Sequence, residues 1–225
     1  MPARAVQAVV PERFEVKPVK LFLRIAVVSL LVCLTLTQAA RATTDGENGI
    51  QVFDSAEVSP GVKPSFTFRY LSKMRSQQGT GDIIIQLLDE SMGKGMSVRI
   101  GVTRMELGTE IVDMAEMHGY DRFFNGLGTG LTPPGGTYDG EEEFELQGHK
   151  AADMYNTSTL DIDGVSSTIF GASRAVFGKS GNLIMIGCFS FFPPDEARER
   201  SYTSRSNQLM TEYCRPALDS LSISD

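Results

Sequence analysis

Residues 65–71 (SFTFRYL) alternate apolar and polar positions, which puts Phe66 and Phe68 on one face of a strand. After a glycine turn beginning at Gly79, the run DIIIQLLD (82–89) is β-branched and suits a central strand. MSVRIGVTR (96–104) alternates again, with Met96, Val98, Ile100 and Val102 inward, and the short SMGKG turn makes the two runs a hairpin. Strand patterns return in EEEFELQG (141–148) and HKAADMYN (149–156). STIFGASRAVF and NLIMIGCFSFF follow, flanking a G-K-S-G turn at 178–181.

Two segments change to helical spacing. In residues 106–118, Ile111, Met114, Ala115 and His118 fall at i, i+3, i+4 and i+7, and Gly119 is placed to end the helix with a left-handed cap. Residues 195–221 are polar first and amphipathic later, with Leu209, Met210, Tyr213, Cys214, Ala217, Leu218 and Leu221 in one stripe. Pro216 should kink that helix or start its last turn. Between the helices, residues 125–140 (NGLGTGLTPPGGTYDG) read as a long exposed loop.

The order is a hairpin, a helix, several antiparallel strands and a last helix packed on the sheet, which is an α+β arrangement. It resembles the Mog1/PsbP-like fold, an antiparallel sheet with helices packed on it as an α/β/α sandwich, including the DcrB-type bacterial periplasmic proteins. The segments that carry the resemblance are the Phe66-Thr67-Phe68 strand, MSVRIGVTRM leading directly into a helix, EFELQGHKAADMY, the hairpin ending in NLIMIGCFSF, and the terminal helix ending in LDSLSI. The resemblance implies an accessory or binding protein and brings no catalytic site with it.

The first 42 residues read as an address. A basic start holds Arg4, Arg13, Lys17, Lys20 and Arg24, an uncharged run follows at 25–37, and Ala40 and Ala42 stand in A-x-A spacing. This is the pattern of a secretory signal peptide cleaved after Ala42. A run of 13 residues spans about 20 Å as a helix, short of the roughly 30 Å hydrocarbon core. An uncleaved anchor is the alternative and would be the chain's one membrane contact. The leader is long, and a start at Val16 or Val19 would shorten it. Residues 43–50 then read as a flexible tether, and 51–225 as a single domain.

Removing the leader sharpens the composition. The 225-residue chain has a net charge of −7, while residues 43–225 carry 15 basic and 26 acidic side chains, a net −11. Nucleic acids and anionic membranes are poor partners for such a surface; a basic protein is a better one.

The candidate chemistry is sparse. Once the leader and its Cys33 are gone, Cys188 and Cys214 remain, and in an oxidising compartment they either form a disulfide or stay as two buried thiols. His118 sits near a helix end and His149 at a strand start, with no metal-ligand spacing around either. Asp139, Glu141, Glu142, Glu143 and Glu145 are the densest charge feature, but they alternate across a strand and so diverge, as a charged edge does. Asp161-Ile162-Asp163-Gly164 reads as a turn, because an EF-hand's later ligands are missing. The glycine-rich stretches lack the Lys-Ser/Thr of a phosphate loop, and no motif of a serine hydrolase, zinc protease or thiol redox protein occurs.

These features point to an exported, non-catalytic accessory or binding protein of the bacterial envelope, periplasmic or secreted, with no cofactor or resident metal and with a partner of basic charge. Its expected surface is Leu127, Thr129, Leu131 and Tyr138 of the glycine-rich loop, with Asp139, Glu141 and Glu143 beside it. Divalent-metal binding through the acidic strand 139–145 is the second reading, and a hydrolase with an unrecognised site the third.

Overall fold

A computed structural model describes residues 43–45, 49–79, 81–93, 96–162, 165–178, 181–193 and 202–224. The leader with its cleavage site, the Asp163-Gly164 part of the expected turn and the polar start of the last segment lie outside the described residues. In chain order the first elements are β1 (Thr43–Asp45), β2 (Ile50–Asp54), α1 (Ser55–Val58), β3 (Ser65–Leu71), β4 (Arg75–Gln78), β5 (Ile83–Asp89) and β6 (Ser97–Glu106). Two helices follow, α2 (Thr109–His118) and α3 (Tyr120–Leu131), then β7 (Thr137–Leu146), β8 (His149–Ile162), β9 (Val165–Phe177) and β10 (Asn182–Phe192). The chain ends with α4 (Tyr202–Leu209), a π-helical turn (Met210–Cys214), α5 (Arg215–Asp219) and β11 (Ser222–Ser224).

The fold is α+β. Seven strands form an antiparallel sheet in the order β4-β5-β6-β10-β9-β8-β7, and a smaller sheet runs β1-β2-β3-β11. The large sheet is buried on both faces along its centre. On one face Ile85, Leu87, Ile100, Val102, Ile184 and Ile186 meet Phe53, Phe66, Phe68 and Tyr70 of the small sheet together with Leu209, Tyr213 and Leu218. On the other, Met154, Phe177, Leu183 and Met185 receive Ala115, Phe124 and Leu127 from α2 and α3. Double burial explains why LIMIGC (183–188) is continuously apolar, whereas burial alternates along β3 and β5.

Three details depart from the sequence reading. The segment expected as a tether contributes β1, which pairs with β2, and the last residues form β11 against β3; both strands are too short to show a period. In α2 the buried side is not the expected stripe. Ala115 is buried and Val112 packs beside it, while Met114 and His118 are exposed, because the helix turns Val112 and Ala115 toward the sheet. Most of the expected loop at 125–140 is structured: its first half belongs to α3 and its end opens β7.

The terminal helix is fastened to β10 by a disulfide and to β9 by a guanidinium. Cys214 forms a disulfide with Cys188 on β10, their Cα atoms 5.6 Å apart. One turn further on, Arg174 reaches from β9 to the last carbonyls. Its Nε and Nη2 each hold an oxygen of Asp153 at 2.7 Å, its Nη1 donates to the Leu218 carbonyl at 2.5 Å, and Nη2 also meets Asp219 at 3.2 Å. Asp153 lies directly opposite Arg174 on β8, and the guanidinium stacks 4.8 Å from the Phe144 ring of β7. Arg174 and Asp153 are both buried. The fork geometry and the extra acceptors offset the loss of water around the two ions.

Removing one partner of such a pair strands a buried charge. Arg174→Met should cost about 3–5 kcal/mol in urea unfolding, and adding Asp153→Leu should return a large part of it. A double variant no more stable than Arg174→Met would mean that the pair is incidental.

Candidate functional site: an acidic edge between α3 and β7

The edge is built from a helix that local preference disfavours. α3 carries Gly126, Gly128 and Gly130, each costing helix stability relative to alanine. Packing overrides this, since Phe124 and Leu127 are buried and Phe123, Tyr120 and Leu131 join them. Phe177 of β9 receives the rings of Tyr120 and Phe123 edge-on, at 5.2 and 5.3 Å between centroids. Gly128 has a further reason. A Cβ there would fall on the Tyr138 ring, so glycine lets the first turn of β7 lie against the helix.

That close approach assembles a polar group. The Tyr138 hydroxyl donates to Glu141 Oε2 at 2.5 Å, and Asn125 of α3 donates to both Glu141 oxygens at 3.2 and 3.3 Å. A bulge between Tyr138 and Gly140 shifts the register with β8, after which the strand alternates regularly. Glu141, Glu143 and Glu145 therefore share the α3 side, while Phe144 and Leu146 face the opposite side and pack on the main core. Glu145 pairs with Lys150 across the ladder at 2.5 Å, and Asp139 accepts from Thr157 Oγ1 at 2.8 Å.

The electrostatics follow the geometry. Partial burial, then the charges of Asp121 and Glu141, hold the Glu143 carboxyl above its ordinary value, and Lys150 only partly opposes them. Burial and the bond to Glu141 raise the Tyr138 hydroxyl, so it stays a proton donor. Glu145 is pulled down by its bond to Lys150.

The structure thus brings together Tyr138, Glu141 and Glu143 and adds Asp121 and Asn125, which the sequence reading left out. These two sit one turn apart on the exposed side of α3, a relation visible only once 120–131 is a helix. Thr129 is exposed on the same helix, Leu131 is half-buried, and Asp139 turns toward Thr157. Leu127 does not belong to a surface: it is a core residue, 3% exposed. The metal reading also changes. Among the described residues no three His, Cys, Asp or Glu side chains stand where they could hold an ion. His149 is buried at the start of β8, and His118 is exposed in the last turn of α2.

No protein-family model matches the chain, and no curated protein matches its sequence. Among solved structures it is similar to LpqN, involved in cell envelope biogenesis of Mycobacterium tuberculosis, at 13% identity and a TM-score of 0.44, over 79% of this chain and 93% of that one. It is also similar to the cyanobacterial PsbP (CyanoP) of Synechocystis sp. PCC 6803, at 8% identity and a TM-score of 0.45, over 82% of this chain and 98% of that one. At these values the likeness is one of outline, and neither an activity nor a partner passes to this chain.

Two measurements probe the edge. Gly126 has open space at its missing Cβ, so Gly126→Ala should stabilise the protein by about 0.5–1 kcal/mol. Gly128→Ala should destabilise it despite the same helix gain, and should weaken the protection of Tyr138 from solvent. Equal effects of the two would remove the helix–tyrosine contact from the account. Glu143→Gln should stabilise at pH 7, because the fold raises the carboxyl's pKa above its ordinary 4.5 and so disfavours the charged form. That penalty is absent below the ordinary value, grows as pH rises past it and is complete above the raised one, so the gain should vanish at about pH 3. A gain independent of pH would contradict the charge argument.

Proposed function

We propose that this chain is an exported accessory protein of the bacterial envelope that acts by binding, not catalysis, and that the α3–β7 edge is its surface for a basic partner. The observation that carries the reading is the edge itself. Glu141 is held by Tyr138 and Asn125, Glu143 feels the charges of Asp121 and Glu141, and among the described ion pairs the cation at this edge is Lys150, held by Glu145. A rigid carboxylate surface with a net −11 on residues 43–225 steers and selects cationic partners.

The disulfide supports export, since such bonds persist in oxidising compartments. The leader pattern of residues 1–42 agrees with that route. No helix among the described residues is long and apolar enough to cross a membrane.

The test expresses the full chain in a bacterium. The protein should reach the envelope fraction with Thr43 as its first residue and with Cys188 and Cys214 oxidised by mass spectrometry. Basic envelope proteins should be retained by the wild type at low salt and released by Glu141→Gln/Glu143→Gln. A cytoplasmic product with two free thiols, or retention unchanged by the double variant, would defeat the proposal.

A further inference from the structure

We propose that the outer edge of β7 is a strand-addition site for an extended segment of a partner protein in which basic and apolar residues alternate. This rests on the binding role proposed above and gives that partner its form. β7 is the last strand of the large sheet and, among the described residues, pairs only with β8. Its ten residues present a row of outward N–H and C=O groups, a template for one more strand.

Three features make this edge suited to such a partner. It is held firmly, because Phe144 and Leu146 pack on the core, the Arg174 guanidinium stacks on Phe144, and Tyr138 is clasped by α3. A preorganised template lowers the ordering cost of binding. The edge is also two-sided. Glu141, Glu143 and Glu145 form one row, and Glu142, Phe144 and Leu146 the other. An added strand places alternate side chains beside each row, so lysine or arginine meets the carboxylates while an apolar residue meets Phe144 and Leu146. Lys150 already shows the pairing on the inner side, opposite Glu145. Finally, the bulge at Tyr138–Gly140 limits the regular stretch to 140–146, about 23 Å of strand.

A second copy of this chain fits poorly. Two β7 strands side by side would set glutamates against glutamates, and like charges directly opposite each other destabilise a ladder. The charge thus excludes self-pairing and admits a cationic strand.

The experiment uses the exported protein and a nine-residue synthetic peptide of alternating lysine and valine. Two further peptides carry N-methyl groups on alternate amides, one set on each edge of the strand, so that charge is kept while one edge loses its donors. Binding is followed by fluorescence anisotropy, and β7 amides by hydrogen exchange. The parent peptide should protect the β7 amides that point away from β8. Methylation of one edge should weaken it by about tenfold, and of the other edge little. Glu141→Gln/Glu143→Gln should weaken it by about fivefold at low salt, and less as salt rises. Equal binding by all three peptides would overturn strand addition while leaving the basic-partner reading intact. No binding by any of them would overturn both, and self-association of the protein through β7 would overturn the proposed occupant.

Discussion

The buried Arg174 guanidinium organises this fold. It sits opposite Asp153 on the β8–β9 pair of the large sheet, donates to the Leu218 carbonyl at the end of the terminal helix and lies on the Phe144 ring. Four elements (β7, β8, β9 and α5) therefore meet at one charge. A one-residue slip between β8 and β9 would send Arg174 and Asp153 to opposite faces and leave two unpaired ions in an apolar interior. The pair thus specifies register more than it adds stability. The disulfide acts at Cys214, one turn before, so the terminal helix is fixed to β10 by a covalent bond and to β9 by a guanidinium. Linking residues this far apart also restricts the unfolded chain, by about 3 kcal/mol in the loop-entropy model.

What the sequence made legible follows from which signals are local. Alternation located β3 and β6, a β-branched run located β5, and the G-K-S-G turn between two strand patterns located the β9–β10 hairpin. The stripe from Leu209 to Leu221 located the terminal helix, and Pro216 falls at the start of α5, where its missing N–H costs nothing. Gln147-Gly148, both at positive φ, close β7 onto β8 in a two-residue turn. The failures share a cause. α3 was hidden because three glycines outweigh its apolar spacing in any local estimate, and only contact with Phe177 and Tyr138 shows why they are tolerated. Arg174 and Asp153 stand 21 residues apart and look like ordinary strand polar positions until the register is known. β1 and β11 are three residues each, too short to carry a period.

The candidate site divides in the same way. Its acidic half, Asp139 to Glu145, is plain in the composition, while its helical half, Asp121 and Asn125, exists only in three dimensions. The link between them is a single absent side chain at Gly128, which lets Tyr138 approach α3 and hold Glu141. Anchoring on that side and by Phe144 on the other gives β7 a fixed course although, among the described residues, it pairs with β8 alone.

A fixed course matters because repulsion among carboxylates does work only if they cannot move apart. On a mobile strand Glu141 and Glu143 would relax away from Asp121 and from each other, and the field would dissipate into solvent. Here burial, and after it the charges of Asp121 and Glu141, raise the Glu143 carboxyl above its ordinary pKa. Under the binding role proposed above, a cation brought to this edge would offset part of the cost of that carboxyl's charge. Under the same role, the packing that steadies β7, Gly128 against Tyr138 and Arg174 on Phe144, is complete before anything binds, which lowers the ordering cost of binding.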